Sequence, residues 1–131
     1  MKKSLIILLL LIVTVGFSQE DPIQVPQIGV KVAVGQTVQF EKASVTFIKV
    51  IADSRCPKNT TCIWAGEVKV LASVTEDGKE PKEVELVFGK EVQNTLISSE
   101  GYTLKCLSVT PYPSSEDNGE RDYALLVSEG K

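Results

Sequence analysis

Two cysteines separated by five residues are the most chemically informative feature of the sequence. Cys56 and Cys62 lie in the stretch 53–66, which also holds the only tryptophan, Trp64. Redox-active thiol pairs are usually two residues apart, and a zinc site needs four ligands, whereas this chain has three cysteines and no histidine. The spacing therefore favours a structural disulfide that closes a short loop. Such a bridge contributes about 2 kcal/mol in a chain-entropy model, which indicates local bracing more than global stabilisation.

The third cysteine, Cys106, lies between Lys105 and Leu107 in an apolar segment. We expect a buried, unreactive thiol there, because a free cysteine behaves as a small apolar side chain. The alternatives are an exposed thiol that pairs between molecules and a bond from Cys106 to one of the loop cysteines. Three cysteines allow three different single bonds, and the sequence leaves these alternatives open.

The N-terminus has the pattern of a secretory signal peptide. Lys2 and Lys3 precede an apolar stretch, residues 4–17, that is too short for the roughly 20 residues of a membrane-spanning helix. Small residues then precede a cleavage site after Ser18. We expect residues 1–18 to be removed on export to the periplasm or outside the cell, with no membrane span left. Export also explains a disulfide, since such bonds persist in oxidising compartments.

Composition excludes several classes of function. Without the two signal lysines, residues 19–131 carry 12 Lys and Arg against 17 Asp and Glu, a net charge of −5, with no basic stripe. Nucleic-acid binding and adhesion to an anionic membrane are therefore not expected. The absence of histidine rules out Ser-His-Asp and Cys-His catalysis and removes the commonest zinc and copper ligand. We expect no catalytic, cofactor-binding or metal-binding residues, and hence no enzyme.

Apolar residues alternate with polar ones through most of residues 19–131, which is typical of half-buried β-strands. Seven or eight short strands are predicted at roughly ten-residue spacing, with no helix, and a phase change within 102–110 predicts a β-bulge. The predicted strands are 28–34, 38–40, 44–51, 67–75, 82–88, 91–97, 102–110 and 122–128. The expected fold is a single all-β domain, either an antiparallel β-sandwich or a small barrel.

Four residues of the loop 53–66 are candidate binding residues: Asp53, Arg55, Lys58 and Trp64. An indole beside a disulfide often packs into a sandwich core, which is the favoured interpretation of Trp64; the alternative is an exposed recognition anchor. For Arg55 and Asp53 the favoured interpretation is a local ion pair, or an Asp53 side chain that caps the turn. The alternative places Arg55 at the tip of a rigid loop, where it is presented to a partner.

Two short runs carry a resemblance to other proteins. They are Asp53-Ser54-Arg55-Cys56-Pro57 followed by Cys62-Ile63-Trp64-Ala65-Gly66, and Val109-Thr110-Pro111-Tyr112-Pro113 ahead of a last strand with Tyr123. Together they resemble a signature of small exported proteins of Bacteroidetes-type bacteria, and Cys106 departs from that pattern. The resemblance implies export and a β fold, and it implies no particular activity.

The expected function is therefore a non-catalytic binding module, monomeric, that presents the disulfide-braced loop 53–66 to a protein or envelope ligand. Loops on a rigid scaffold are the usual place for such sites. One alternative is a protease-inhibitor-like protein in which Arg55 or Lys58 fills a specificity pocket of the protease. Another is a structural component of the cell envelope, which the sequence does not separate from a binding module.

Overall fold

Eight β-strands make up the regular secondary structure of residues 27–131, the part of the chain that this computed structural model describes. They are β1 (Gly29–Ala33), β2 (Thr37–Gln39), β3 (Ala43–Asp53), β4 (Val68–Glu76), β5 (Lys82–Phe88), β6 (Thr95–Ser99), β7 (Tyr102–Thr110) and β8 (Ala124–Gly130). The described part of the chain has no helix long and apolar enough to cross a bilayer. The predicted signal peptide 1–18 lies outside the described residues.

The strands form two four-stranded antiparallel sheets. Sheet 1 has the order β1-β8-β7-β6, and sheet 2 has the order β2-β3-β4-β5. The two sheets pack face to face, so the predicted all-β sandwich is confirmed. The small-barrel alternative is wrong, because β1 and β6 remain edge strands of sheet 1 while β2 and β5 remain edge strands of sheet 2.

Side-chain alternation explains how the strands build the core. Along β4 the side chains of Val68, Val70, Ala72 and Val74 are buried, while the intervening residues are partly exposed. This pattern follows from the two-residue period of a strand with one face against the core. β3 lies between β2 and β4 in sheet 2, in the central position that its apolar residues on both faces predict.

A β-bulge in β7 accounts for the phase change in its sequence. The register between β7 and β8 shifts between Cys106 and Ser108, as predicted. Because of this shift, Cys106 and Val109 are both buried although they are three residues apart. The expected burial of Cys106 is confirmed, and burial raises the pKa of its thiol to about 12.

Most predicted strand bounds differ from those in the structure by one or two residues, and two strand starts differ by two or more. Gln93 forms an isolated antiparallel bridge back to Val87, so the chain turns there and β6 begins only at Thr95. β8 begins at Ala124, two residues later than predicted, because Tyr123 bonds through its main-chain N–H to the carbonyl oxygen of Arg121. Neither difference changes the order of the strands.

One end of the sandwich, which we call the loop end, gathers the segments that form the candidate site. β3 ends there at Asp53, and its pairing partner β4 begins there at Val68. In sheet 1, the end of β7 at Thr110 pairs with the start of β8 at Ala124. The loop 53–66 therefore leaves sheet 2 directly beside the connection between β7 and β8.

Candidate functional site: the disulfide loop

The loop 53–66 is closed by a disulfide between Cys56 and Cys62, whose Cα atoms are 5.9 Å apart. This is the pairing that the spacing predicts. The main chain also pairs across the base of the loop: the N–H of Ser54 donates to the carbonyl oxygen of Glu67, and the N–H of Cys56 donates to that of Ala65, each at 2.8 Å. The loop thus continues the β3–β4 ladder for a short distance and is then held by the disulfide.

Gly66 allows the two sides of the loop base to approach so closely. Its φ is 72°, in the left-handed region, and a Cβ atom there would overlap the carbonyl oxygen of Ser54. Glycine tolerates this conformation at little cost, whereas other residues do not. The side chain of Ser54 adds to the closure, because its hydroxyl accepts a hydrogen bond from the N–H of Glu67 at 3.1 Å. The loop base therefore depends on a residue without a side chain.

Asp53 and Arg55 form a buried, two-armed ion pair at the start of the loop. Nε of Arg55 donates to Oδ1 of Asp53 at 2.8 Å, and Nη2 donates to Oδ2 at 2.7 Å. The side chain of Arg55 is only 9% exposed, and that of Asp53 only 5%. The favoured interpretation of a local pair thus matches the geometry, and Arg55 does not project from the loop.

The electrostatics of Asp53 follow from its surroundings. Burial by itself raises the pKa of this carboxyl, but hydrogen bonds from Arg55 and Tyr123, together with the charge of Arg55, outweigh burial. The pKa of Asp53 is therefore held below its ordinary value of 3.8, so the carboxylate stays ionised. Tyr123 contributes a hydroxyl that donates to Oδ2 of Asp53 at 2.9 Å.

Arg55 also ties the loop to the opposite sheet. Its Nη1 donates to the carbonyl oxygen of Val109 at 2.9 Å, and Nη2 donates to that of Pro111 at 3.0 Å. The guanidinium lies 4.9 Å from the centre of the Tyr112 ring, within the range of a cation–π contact. One side chain of the loop therefore binds the end of β7 through several contacts at once.

Arg121 and Asp117 extend this network into the connection between β7 and β8. Nη1 of Arg121 donates to the hydroxyl of Tyr123 at 3.0 Å, and Nε donates to Oδ2 of Asp117 at 2.8 Å. The sequence pattern does not mark Arg121 or Asp117 as candidate site residues, and it predicts Tyr123 only as a strand residue. No local signal could have joined them to Asp53, because the contact from Tyr123 to Asp53 spans 70 residues.

Lys58 lies on the side of the loop that faces the Pro111-Tyr112-Pro113 run. Its main-chain N–H donates to the carbonyl oxygen of Pro113 at 2.9 Å, and Lys58 forms an isolated bridge with Ser114. Its ammonium lies 6.0 Å from the centre of the Tyr112 ring. The residue is exposed, so its charge remains in contact with solvent.

Trp64 is not part of the core, which corrects the favoured interpretation. Its side chain is 78% exposed, and that of the preceding Ile63 is 98% exposed. The physical reason lies in the disulfide, which joins two residues of one loop rather than the two sheets. The indole beside it is therefore held outside the sandwich. The structure thus favours the alternative of an exposed side chain, and Ile63, which is not among the residues predicted from the sequence, is exposed beside it.

An open groove of about 630 Å³ lies beside Trp64. Its lining residues come from the loop and from the turn after β5, and they are Ser54, Trp64, Ala65, Gly66, Glu67, Gly89 and Lys90. The turn packs closely, since a Cβ atom on Gly89 would lie 2.6 Å from that of Glu67. Glu67 is paired with Lys69 at 3.1 Å. The groove is thus an aromatic surface with one paired acid and a lysine at its margin.

The acid at the start of the loop is fully engaged by neighbouring side chains. Both carboxylate oxygens of Asp53 are occupied by donors from Arg55 and Tyr123, so this acid is not free to take a proton from a substrate. Within residues 27–131, no three acid or cysteine side chains are grouped so as to hold a metal ion. Comparison with protein-family models, with curated proteins and with solved structures finds no match for this chain.

Proposed function

We propose that the protein is an exported, non-catalytic binding module that presents the disulfide-braced loop 53–66 to a protein partner in the periplasm or outside the cell. The observation that carries this proposal is the exposure of Ile63 and Trp64, at 98% and 78%, on a loop that is fixed at both ends. Tryptophan is among the residues that contribute most to protein–protein binding, because it buries a large area at a low cost in conformational entropy.

The fixed loop strengthens the proposal. Arg55 holds the loop to Val109 and Pro111 on one side, while the disulfide holds Cys62, the residue before Ile63. A loop that is already ordered loses little entropy when a partner binds, so more of the contact energy appears as affinity. Export is supported by the signal-like segment 1–18 and by the disulfide itself, since such bonds persist in oxidising compartments.

The protease-inhibitor alternative receives less support. Arg55 is 9% exposed and bonded to Asp53, so its guanidinium would have to leave that carboxylate in order to enter a protease pocket. Lys58 is exposed, but its main-chain N–H is already bonded to Pro113 and is not available for strand-like pairing with a protease. The identity and specificity of the captured partner distinguish a structural component of the envelope from a binding module.

Affinity capture from the envelope fraction of the producing cells tests the proposal. Wild type, Trp64→Ala, Ile63→Ala and Ile28→Ala are compared. Ile28 is a matched control because it is 82% exposed but lies at the end of the sandwich opposite the loop. Wild type and Ile28→Ala should capture the same partner, whereas Trp64→Ala should bind about 30-fold more weakly, as expected for a binding hot spot. Equal capture by all four proteins contradicts the proposal.

A further inference from the structure

We infer that the partner occupies the groove beside Trp64 with an extended peptide segment in which an acidic residue lies next to an aliphatic one. This inference rests on the proposed function and specifies the chemistry of the partner. It depends on three features of the groove: its concave apolar surface, its free main-chain groups and its unpaired charge.

The shape of the groove favours a side chain of a partner over a flat surface. Trp64 and Ala65 supply apolar surface from the loop, and Gly66 and Gly89 line the groove without contributing a side chain. A concavity of about 630 Å³ next to an exposed indole accommodates an aliphatic side chain that packs on the aromatic face. Packing of this kind requires a partner that projects into the groove.

Free main-chain groups next to the groove favour an extended partner. In the described part of the chain, no main-chain hydrogen bond joins residues 61–64 to another main-chain group. Residues 61–64 are exposed, and their main-chain N–H and C=O groups need hydrogen-bond partners once a bound molecule shields them from water. An extended peptide laid along residues 61–64 supplies them, as in the recognition of peptides by added strands.

The unpaired positive charge at the groove favours an acidic residue in the peptide. Glu67 is already paired with Lys69, whereas Lys90, which lines the groove, makes no ion pair with any residue of 27–131. The neighbouring Glu91 does not line the groove. The net charge of −5 of residues 19–131 would repel an acidic partner at long range, but at physiological salt charges beyond about 8 Å are largely screened. At contact distance, the attraction between Lys90 and the acidic residue of the peptide therefore outweighs the repulsion from the rest of the protein.

The same charges disfavour a membrane surface as the occupant. Aromatic side chains at a membrane interface are usually accompanied by several lysines and arginines that attract anionic lipids. Among the described residues that line the groove, Lys90 is the one lysine, and Glu67 of the lining is paired with Lys69, which lies outside it. A peptide with one carboxylate matches this charge, whereas an anionic lipid surface does not.

The chain provides its own probe for the test, because Trp64 is the only tryptophan and its emission reports on the groove directly. A displayed library of short random peptides is selected against the wild-type protein. Each selected peptide is synthesised in two forms, one with its acidic residue and one with the corresponding amide. Binding of both forms is titrated by Trp64 emission and, for Trp64→Ala, by calorimetry.

Charge variants test the role of Lys90. Lys90→Glu should weaken binding of the acidic form about tenfold and remove its advantage over the amide form. Lys31→Glu is the matched control, since it makes the same change in net charge on the exposed side of β1 and should bind like wild type. Circular dichroism verifies that all variants are folded.

The outcomes separate this inference from the proposed function. Enrichment of acidic–aliphatic peptides that need both Trp64 and Lys90 supports the inference. Peptides that need Trp64 but show no preference for an acid, or no response to Lys90→Glu, overturn the inference and leave the binding module intact. An absence of any enriched peptide overturns the inference. So does a shift of Trp64 emission with phosphatidylcholine–phosphatidylglycerol vesicles in place of peptides, which would assign the groove to a lipid surface.

Discussion

Arg55 donates a hydrogen bond from Nη1 to the carbonyl oxygen of Val109 at 2.9 Å, across 54 residues of sequence. Because Arg55 lies two residues after the end of β3 and Val109 lies near the end of β7, this bond joins the two sheets at the loop end. The same guanidinium holds Asp53. The loop that presents Trp64 is therefore anchored to both layers of the sandwich by one side chain.

Loss of this anchor should destabilise the fold. We expect Arg55→Ala to lower the free energy of unfolding by about 3 kcal/mol, because it leaves the buried carboxylate of Asp53 without its main partner. Arg55→Lys should recover only part of this loss, since an ammonium cannot reproduce the two-armed contact. Urea titration followed by circular dichroism measures both variants.

Arg121→Ala provides the control for the anchor. Nη1 of Arg121 lies 3.9 Å from Oδ2 of Asp53, and the side chain of Arg121 is more exposed than that of Arg55. Its removal should cost about 1 kcal/mol or less. If Arg55→Ala proved as stable as Arg121→Ala, the anchoring role of Arg55 would be refuted.

The stability contributed by Asp53 should depend on pH in a defined direction. Its pKa is lowered on folding, so below 3.8 the unfolded chain binds the proton more readily than the folded protein does. The contribution of Asp53 is thus complete above about 3.8 and disappears as the pH falls through the lower pKa of the folded state. The difference in unfolding free energy between wild type and Asp53→Asn should shrink over that range.

Urea titrations of both proteins at neutral pH and at several acidic pH values measure this difference. Other acids titrate in the same way in both proteins, so their effects cancel in the subtraction. A difference that stays constant down to the most acidic condition would show that the ionised form of Asp53 is not what stabilises the loop.

Gly66→Ala should separate steric overlap from backbone strain when it is compared with Gly78→Ala. Both glycines have a positive φ, 72° and 73°, but a Cβ at Gly78 meets nothing within 4 Å while one at Gly66 overlaps Ser54. Gly78→Ala should cost about 1 kcal/mol from its conformation alone. Gly66→Ala should lower the free energy of unfolding by clearly more than Gly78→Ala does, because it adds the overlap with Ser54. Similar thermal midpoints for the two variants would argue against close packing of the loop base.

Removal of the disulfide should loosen the loop without dissolving the sandwich. We expect the double variant Cys56→Ser/Cys62→Ser to lose about 2 kcal/mol of stability and to keep its far-ultraviolet circular dichroism. The fluorescence anisotropy of Trp64 should fall, because the indole follows the bridge by two residues. Unchanged anisotropy would mean that Arg55 alone fixes the loop.

Cys106 should be inert until the protein unfolds. Its side chain is fully buried, and its pKa is raised to about 12. Iodoacetamide should therefore leave the native protein unmodified and add a single group in guanidinium chloride without a reductant, as read by intact mass. An adduct on the native protein would contradict the burial of Cys106, and additional adducts after unfolding would contradict the Cys56–Cys62 bridge.

Much of the sheet structure could be predicted from the sequence, because its signals are local. Alternation from Val68 to Val74 predicts a strand with one buried face, and the phase change within 102–110 predicts the bulge between Cys106 and Ser108. The spacing of Cys56 and Cys62 predicts their bond, since so short a separation brings two cysteines together without help from the rest of the fold. Predictions of this kind need only neighbouring residues.

The tertiary structure decided which side chains of the loop are exposed and what anchors the loop. Arg55 meets Val109 and Tyr123 meets Asp53 only because β3 and β7 end, and β8 begins, at the same end of the sandwich. Trp64 is exposed because the neighbouring Cys56–Cys62 disulfide joins two residues of one loop and does not link the two sheets. Residue type and spacing determined which elements and which covalent bond form, whereas exposure and long-range partners depend on how the two sheets are placed, and no local pattern encodes that placement.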